Sequence, residues 1–177
     1  PGGKATAMAA AGASVVAADL RPSRLGLVGD NAERLGHDMA LVAADGRLPP
    51  FRAGSFDRVL VDAPCSGLGV LRRRADARWR IDPADVEELA DLQLDLLTAA
   101  AGLVRPGGLL FYSVCTLTSA ETAGVDRRFR EATGVRPGPA LGQPWRPHGD
   151  DGAGGLLLPQ DLDSEGMAVF RYRIDSA

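Results

Sequence analysis

Short apolar runs alternate with longer stretches of helical periodicity along most of the chain. The apolar runs predict strands at 14–18, 39–44, 56–61, 109–114 and 166–174. The helical periodicity predicts helices after Gly3, over 21–35, over 82–104, and from a cap at Ser119 to about 132, with a loop over 134–155. This alternation is typical of an α/β fold with a mostly parallel sheet and helices on both faces, in which the last strand can run antiparallel.

Size and composition narrow the class of protein. With 177 residues, two cysteines and a net charge of −3, the chain is expected to form a single domain over 1–177. Two cysteines are too few for a disulfide framework, so a reducing, cytoplasmic location is expected. No signal peptide or bilayer-length apolar run is visible in the sequence, so no membrane partner is expected. The acidic balance argues against a nonspecific nucleic-acid binder but leaves room for a local basic face.

Carboxylates end three of the predicted strands. Asp19, Asp45 and Asp62 each follow an apolar run, at the strand ends where open α/β sheets bind ligands. Asp19 suits an acceptor for ribose hydroxyls, although a helix N-cap is an equally good interpretation. Asp45 suits a partner for an adenine amino group, but an Asp before Gly46 is also a common turn residue.

A glycine turn, Pro1-Gly2-Gly3-Lys4, opens the chain. Glycines allow a ligand to approach the backbone closely, and the free N–H groups of a helix start favour anions. A plain turn with an N-cap is the alternative. Because such a turn normally follows a strand, the chain is expected to start inside a nucleotide-binding motif, with its first strand missing.

Both cysteines lie just past a predicted strand, Cys65 in the segment 62–67 and Cys115 in the segment 112–116. A nucleophilic thiolate can add to a carbon and later leave. Addition at carbon 6 of cytosine makes carbon 5 nucleophilic enough to accept a methyl group, and a carboxyl group such as Asp62 can stabilise the charge that develops near nitrogen 3. The alternative is two small buried side chains. No metal site is predicted, because two Cys and two distant His lack zinc-ligand spacing.

The densest basic segment of the chain follows Cys65 and includes an aromatic residue. Its members are Arg72, Arg73, Arg74, Arg78, Trp79 and Arg80. Arginine side chains suit phosphates and tryptophan can stack on a base, so the segment predicts contacts with nucleic acid. A solvated surface is the usual alternative for a run of charge.

Together these motifs resemble the Sun, or RsmB-like, family of RNA (cytosine-5) methyltransferases, which modify ribosomal and transfer RNA. The motifs occur in the family's order: Pro1-Gly2-Gly3-Lys4, Asp19, Asp45-Gly46-Arg47, Asp62-Ala63-Pro64-Cys65-Ser66-Gly67, Arg72-Arg73, Trp79 and Tyr112-Ser113-Val114-Cys115-Thr116. The match runs from residue 1 to about 125. The sequence departs from the family where Ala5 precedes Thr6, and where Arg74-Ala75-Asp76 replaces a frequent His-Pro-Asp.

The resemblance implies a Rossmann-like fold, S-adenosylmethionine as cofactor, and 5-methylcytosine in RNA as product. It implies that Cys115 is the nucleophile, that Cys65 assists product release, and that Asp62 lies between the cofactor and the target base. The cofactor residues it implies are Pro1, Gly2, Gly3, Lys4, Asp19, Arg24, Asp45 and Asp62. The RNA-binding residues it implies are Arg72, Arg73, Arg78 and Trp79.

Ribosomal RNA is the expected partner, transfer RNA the second choice, and the protein is expected to be a monomer without a metal. Two other functions fit parts of the pattern. One is a truncated, non-catalytic module that binds RNA or S-adenosylmethionine. The other is a nicotinamide-dependent oxidoreductase, against which the lack of a G-x-G-x-x-G motif counts.

Overall fold

The computed structural model describes residues 1–73 and 75–175, which fall into two compact units: residues 1–50, and the residues from 51 onwards. Each unit has its own sheet and is described by itself. The single catalytic domain over 1–177 stays a prediction.

The first unit contains two helices and two parallel strands. They are α1 (Gly3–Ala10), β1 (Val16–Asp19), α2 (Pro22–Arg34) and β2 (Ala40–Ala43). The register of the parallel pair sets Asp19 opposite Ala43. Pro22 occupies the first turn of α2, where its missing N–H costs nothing. The helix then buries Leu25, Val28 and Ala32, which share one face at helical spacing.

The second unit is built on a larger sheet. Its strands are β3 (Phe56–Asp62), β4 (Val104–Val114), β5 (Arg136–Pro137), β6 (Arg146–His148), β7 (Gly154–Leu157) and β8 (Met167–Arg173). Its helices are α3 (Pro83–Ala101) and α4 (Val125–Thr133), with a short 3₁₀ helix at Ala75–Trp79 and a π-helical turn at Ala120–Gly124. The strand order is β3-β4-β8-β7-β6, with β5 beside β8. β3 and β4 run parallel, and β8 is antiparallel to β4.

Strand β4 anchors the core of the second unit. Leu110, Tyr112 and Val114 are fully buried, because alternate residues of a strand share one face. Leu97 of α3 and Phe129 of α4 are also fully buried and belong to the same cluster. Burial of apolar area stabilises this packing by about 25 cal/mol per Å². The carboxyl end of β4 is therefore held firmly where Cys115 follows.

The start of β4 differs from the prediction. The helix α3 ends at Ala101, and β4 already begins at Val104 rather than at Leu109. Its register against β3 shifts between Phe56 and Arg58. Residues 105–108, which the prediction left between the helix and the strand, therefore form an irregularity inside the strand. A Cβ on Gly108 would lie 2.7 Å from the Asp57 carbonyl oxygen, so only glycine fits there.

Two further predictions are wrong in detail. The expected loop over 134–155 contains β5, β6 and the start of β7, which pair antiparallel with their neighbours. Its Pro and Gly content hid these short strands, which are held by backbone hydrogen bonds rather than by an apolar pattern. Ser119 is also not a capping residue, because its backbone is helical and its side chain makes no cap hydrogen bond.

Within the described residues, no helix has both the length and the apolarity needed to cross a bilayer.

Candidate active site

The register of β3 and β4 brings the two cysteines together. The parallel pairing sets Asp62 opposite Ser113, and the Ala63 N–H donates to the Ser113 carbonyl over 3.0 Å. The segments that follow β3 and β4 then leave the sheet side by side. The Cys65 and Cys115 Sγ atoms end 3.2 Å apart, as half-buried thiols that form no disulfide. The structure therefore places both predicted thiols at one site.

Backbone contacts fix the loop that carries Cys65. Gly67 turns the chain with a φ of +71°, in the left-handed region that favours glycine. The Gly69 N–H then donates to the Cys115 carbonyl over 3.0 Å, and the Gly69 carbonyl accepts from the Gly166 N–H over 2.9 Å. A Cβ on Gly69 would lie 2.9 Å from the Cys115 carbonyl oxygen, so this close approach needs glycine.

The surroundings of Cys65 disfavour its thiolate form. The pKa of Cys65 is raised well above its ordinary value, first by its hydrogen bond with Cys115 and then by burial and the charge of Cys115. A raised pKa means that Cys65 keeps its proton. In the 3.2 Å contact between the two sulfurs, either Sγ atom can donate.

The sequence analysis did not single out a buried carboxylate next to the thiols, Glu121, which falls within the helix predicted after Ser119. Glu121 is fully buried. Its Oε1 accepts from the Ser66 N–H over 2.8 Å, and its Oε2 accepts from the hydroxyls of Ser66 over 2.5 Å and Thr116 over 3.0 Å. Each of these residues directly follows one of the cysteines. The only local signal is a hydroxyl residue after each Cys, which says nothing about the partner.

Asp62 is the last residue of β3, and it is exposed. Pro64, two residues later, cannot donate to a ladder and ends the strand pairing. Asp62 thus occupies the position predicted for it, at the carboxyl end of a strand and three residues before Cys65.

The predicted cofactor residues of the first unit lie at its strand ends and glycine turn. Gly2 has a φ of +89°, and a Cβ there would lie 3.1 Å from Val28, so the turn packs tightly on α2. A Cβ on Gly3 would meet nothing within 4 Å, so the backbone is open to a ligand at that point. Pro1 and Lys4 are exposed beside it. The turn thus has the open backbone that a nucleotide-like ligand needs.

Each of the two carboxylates predicted to bind the cofactor in this unit is held by an arginine. Asp19 accepts from the Arg21 N–H and from Arg24 Nε, both over 2.9 Å. Asp45 forms a salt bridge of 2.7 Å with Arg47, whose side chain and N–H lower the pKa of Asp45 to about 2. Both groups are therefore oriented acceptors, and a carboxylate has lone pairs left for a ligand's hydroxyl or amino group. Arg24, predicted as a cofactor residue, orients Asp19.

Replacing Arg47 by alanine is expected to raise the pKa of Asp45 from about 2 towards its ordinary range. The lowered pKa means that this contact stabilises the folded state above the ordinary Asp pKa and is lost as the pH falls towards 2. An NMR titration of the Asp45 carboxyl carbon measures the shift. Arg34→Ala is the control, since Arg34 bonds Asn31 instead. An unchanged Asp45 titration in Arg47→Ala would contradict the assignment.

Three described arginines of the basic segment, Arg72, Arg73 and Arg80, are paired with acids. Arg72 forms a salt bridge with Asp163, and Arg73 forms one with Glu165 over 2.8 Å. Arg78 lies 5.7 Å from the ring centroid of Trp79, whose side chain is 82% exposed. Arg74 lies outside the described residues. The segment is thus an exposed surface with one open aromatic face.

The described residues contain no group of three or more His, Cys, Asp or Glu side chains that could hold a metal ion. The structure therefore offers the thiol pair, the adjoining carboxylates and the basic segment as its chemical groups.

Comparison with known proteins identifies the class and then the family. NSun6 from Pyrococcus horikoshii with SFG has a TM-score of 0.87 and 29% identity, over all of this chain and 46% of that chain. The Rossmann-like fold of S-adenosylmethionine-dependent methyltransferases is thereby confirmed. The family model for the 16S rRNA methyltransferase RsmB/F matches residues 1–137, so the chain belongs to this family. The predicted resemblance and the predicted cofactor, S-adenosylmethionine, are both confirmed.

Two sequence relatives agree with this assignment. Rv1407 of Mycobacterium tuberculosis is 50% identical over 128 residues, which are 70% of this chain and 27% of that protein. The ribosomal RNA small subunit methyltransferase B of Salmonella paratyphi B is 39% identical over 171 residues, 94% of this chain and 38% of that protein. The chain thus spans about a third of the length of these relatives. Membership of a methyltransferase family also disfavours the oxidoreductase alternative.

Proposed function

We propose that the protein transfers a methyl group from S-adenosylmethionine to carbon 5 of cytosine in RNA, with ribosomal RNA as the substrate. The observation that carries the proposal is the 3.2 Å separation of Cys65 and Cys115 Sγ at the ends of two adjacent parallel strands. Two thiols at one strand edge suit a reaction in which one sulfur adds to the base and the other assists its release. The relative named ribosomal RNA small subunit methyltransferase B supports the choice of RNA.

Cys115 is the proposed nucleophile. Its sulfur forms a bond to carbon 6 of cytosine, and the electron pair of the 5,6 double bond moves onto carbon 5. The carboxyl group of Asp62 stabilises the charge that develops near nitrogen 3. S-adenosylmethionine, when bound, supplies an electrophilic methyl group. In this proposal Cys65, whose pKa is raised, keeps its proton, and Cys115 Sγ acts as the acceptor of the 3.2 Å contact before the reaction.

Cys65 is the proposed group for release. Once Cys115 Sγ is bonded to carbon 6, it no longer carries a negative charge, and the largest cause of the raised pKa of Cys65 disappears. Cys65 can then release its own proton to water and act as the base. The Cys65 thiolate takes the carbon 5 proton, the electron pair of that C–H bond forms the 5,6 double bond, and Cys115 leaves carbon 6 as a thiolate.

The first unit supplies the proposed cofactor residues. The Gly2-Gly3 turn lies at the start of α1, which no side chain caps and where carboxylate or phosphate groups are favoured. Asp19, oriented by Arg24, is the proposed acceptor for ribose hydroxyls. Asp45, held ionised by Arg47, is the proposed acceptor for the adenine amino group.

Replacing Trp79 by alanine is expected to raise the KM for RNA about tenfold with little change in kcat. Stacking of one base on an aromatic ring contributes about 1–3 kcal/mol to binding. Because the Trp79 ring is 82% exposed, it contributes little to the stability of the fold. Initial-rate measurements at fixed salt separate KM from kcat. Trp79→Phe keeps an aromatic face and is expected to stay near the wild-type value. Equal KM values for Trp79→Ala and the wild type would remove Trp79 from the RNA surface.

The proposed function is tested with 16S rRNA that carries tritium at carbon 5 of cytosine. Methylation at that carbon releases the tritium to water in proportion to the methyl groups transferred from S-adenosylmethionine. Release with matching transfer supports the proposal. Transfer without tritium release would place the methyl group on another atom. Binding of RNA and S-adenosylmethionine without any transfer would favour the non-catalytic module. Unmodified transfer RNA in the same assay decides between the two RNA classes.

A further inference from the structure

One buried carboxylate connects the two thiol-bearing loops. Ser66 and Glu121 are 55 positions apart in the chain, yet Glu121 accepts from both the N–H and the hydroxyl of Ser66. The same carboxylate accepts from the hydroxyls of Thr116 and Thr118 over 3.0 and 2.8 Å. The hydroxyl oxygens of Ser66 and Thr116 are themselves 3.0 Å apart. Residues 66 and 116, each next to a cysteine, thus share one anchor.

A second set of contacts reaches the other side of Cys65. The Gln93 amide N–H₂ group, fully buried on α3, donates to the Pro64 carbonyl over 2.8 Å and to Glu121 Oε1 over 3.1 Å. The Tyr112 hydroxyl lies 2.8 Å from Gln93 Oε1 and 2.6 Å from the Glu121 carbonyl oxygen. The position of Cys65 is therefore fixed through both of its neighbours, Pro64 and Ser66.

The backbone that carries Glu121 is unusual. Residues Ala120–Gly124 form a single π-helical turn, and the Gly124 N–H donates to the Ser119 carbonyl over 2.7 Å. Such turns occur often at functional sites. A Cβ on Gly124 would lie 2.9 Å from the Ser119 carbonyl oxygen, so this turn needs glycine. The turn lies just ahead of α4, and Glu121 there is fully buried, which a surface helical turn would not require.

We infer that Glu121 is a positioning residue that holds Cys65 and Cys115 in register with each other, through Ser66 on one side and Thr116 on the other. Burying a carboxylate costs free energy unless hydrogen bonds compensate for it. Five hydrogen bonds are donated to the Glu121 carboxylate, so the positions of its donors are tightly constrained. The inference rests on the proposed function for its consequence: the Ser66 contact governs release by Cys65, and the Thr116 contact governs addition by Cys115.

The first test needs no RNA. Loosening either contact lets the two sulfurs separate, which removes the main cause of the raised pKa of Cys65 and exposes a more reactive thiolate. Iodoacetamide alkylation of Cys65, followed by peptide mass spectrometry across a pH series, is expected to be about tenfold faster in Ser66→Ala, Thr116→Val and Glu121→Gln, since one pKa unit is tenfold in thiolate. Thr98→Val is the matched control, because the Thr98 hydroxyl bonds only its own helix at Leu94.

The second test separates the two contacts by reaction step. Ser66→Ala is expected to accumulate a covalent protein–RNA species and to slow product release about tenfold, whereas Thr116→Val slows formation of that species about tenfold without accumulation. Thermal melting of each variant measures folding. If Glu121→Gln does not fold, the two hydroxyl variants still decide the inference. Equal slowing of both steps in both variants, or alkylation rates equal to that of Thr98→Val, would overturn it.

The failures of this inference and of the proposed function can be told apart. If Cys65→Ala forms no covalent species with RNA, the proposed chemistry is wrong whatever the alkylation rates show. If Cys65→Ala forms it but Ser66→Ala and Thr116→Val slow the same reaction step, the chemistry stands and the positioning role of Glu121 is wrong.

Discussion

Cys115→Ala is expected to abolish methyl transfer to RNA, with a loss of about 10⁴-fold or more, the size seen when an enzyme loses its nucleophile. Without the sulfur, carbon 5 of cytosine stays too weak a nucleophile to accept the methyl group. Tritium release from carbon 5 and transfer of labelled methyl groups should both fall to background.

The control measurements for Cys115→Ala are its folding stability and its binding of S-adenosylmethionine. Because Cys115 is half-buried and a smaller side chain replaces it, melting temperature and S-adenosylmethionine binding should change little. Appreciable transfer by a folded Cys115→Ala protein would show that Cys115 is not the nucleophile.

Cys65→Ala is expected to trap RNA covalently on Cys115. Addition at carbon 6 and methyl transfer need only Cys115, whereas breakage of the sulfur–carbon bond needs Cys65 beside it, at the 3.2 Å found here. A protein–RNA band that survives denaturing electrophoresis and disappears after nuclease digestion would report the trapped species. Turnover should fall to about one methyl group per protein molecule.

The double variant Cys65→Ala/Cys115→Ala is the matched control and should give no such band. A band in the double variant would mean that the RNA is attached elsewhere. A Cys65→Ala protein that turns over normally, or that gives no band, would contradict the assignment of release to Cys65.

Much of the site could be predicted because its chemical groups come directly after apolar runs. Asp19 and Asp62 end strands as expected, and the two thiols follow β3 and β4. The end of an apolar run predicts the end of a strand, because burial of alternate or successive apolar residues stops there. It failed over 134–155, where Pro and Gly hide short strands that backbone pairing alone defines.

The acids that face the basic segment could not be predicted either. Arg72 and Arg73 meet Asp163 and Glu165, about 90 positions away in the chain. An ion pair between exposed side chains contributes about 1 kcal/mol or less, and it leaves no trace in local periodicity. The sequence indicates a basic surface, and only the fold shows how much of its charge is already compensated.

The sequence by itself determined the α/β class, the family, and the position of both thiols at strand ends, because hydrophobic periodicity and short motifs are local properties of the chain. Tertiary structure alone decided the 3.2 Å approach of Cys65 and Cys115 and the choice of Glu121 as their common anchor. The approach depends on the register between β3 and β4, which pairs Asp62 with Ser113 just before the two cysteines. The anchor depends on partners more than fifty residues apart. Neither is encoded in any one stretch of the chain, since each exists only when separate elements are packed together.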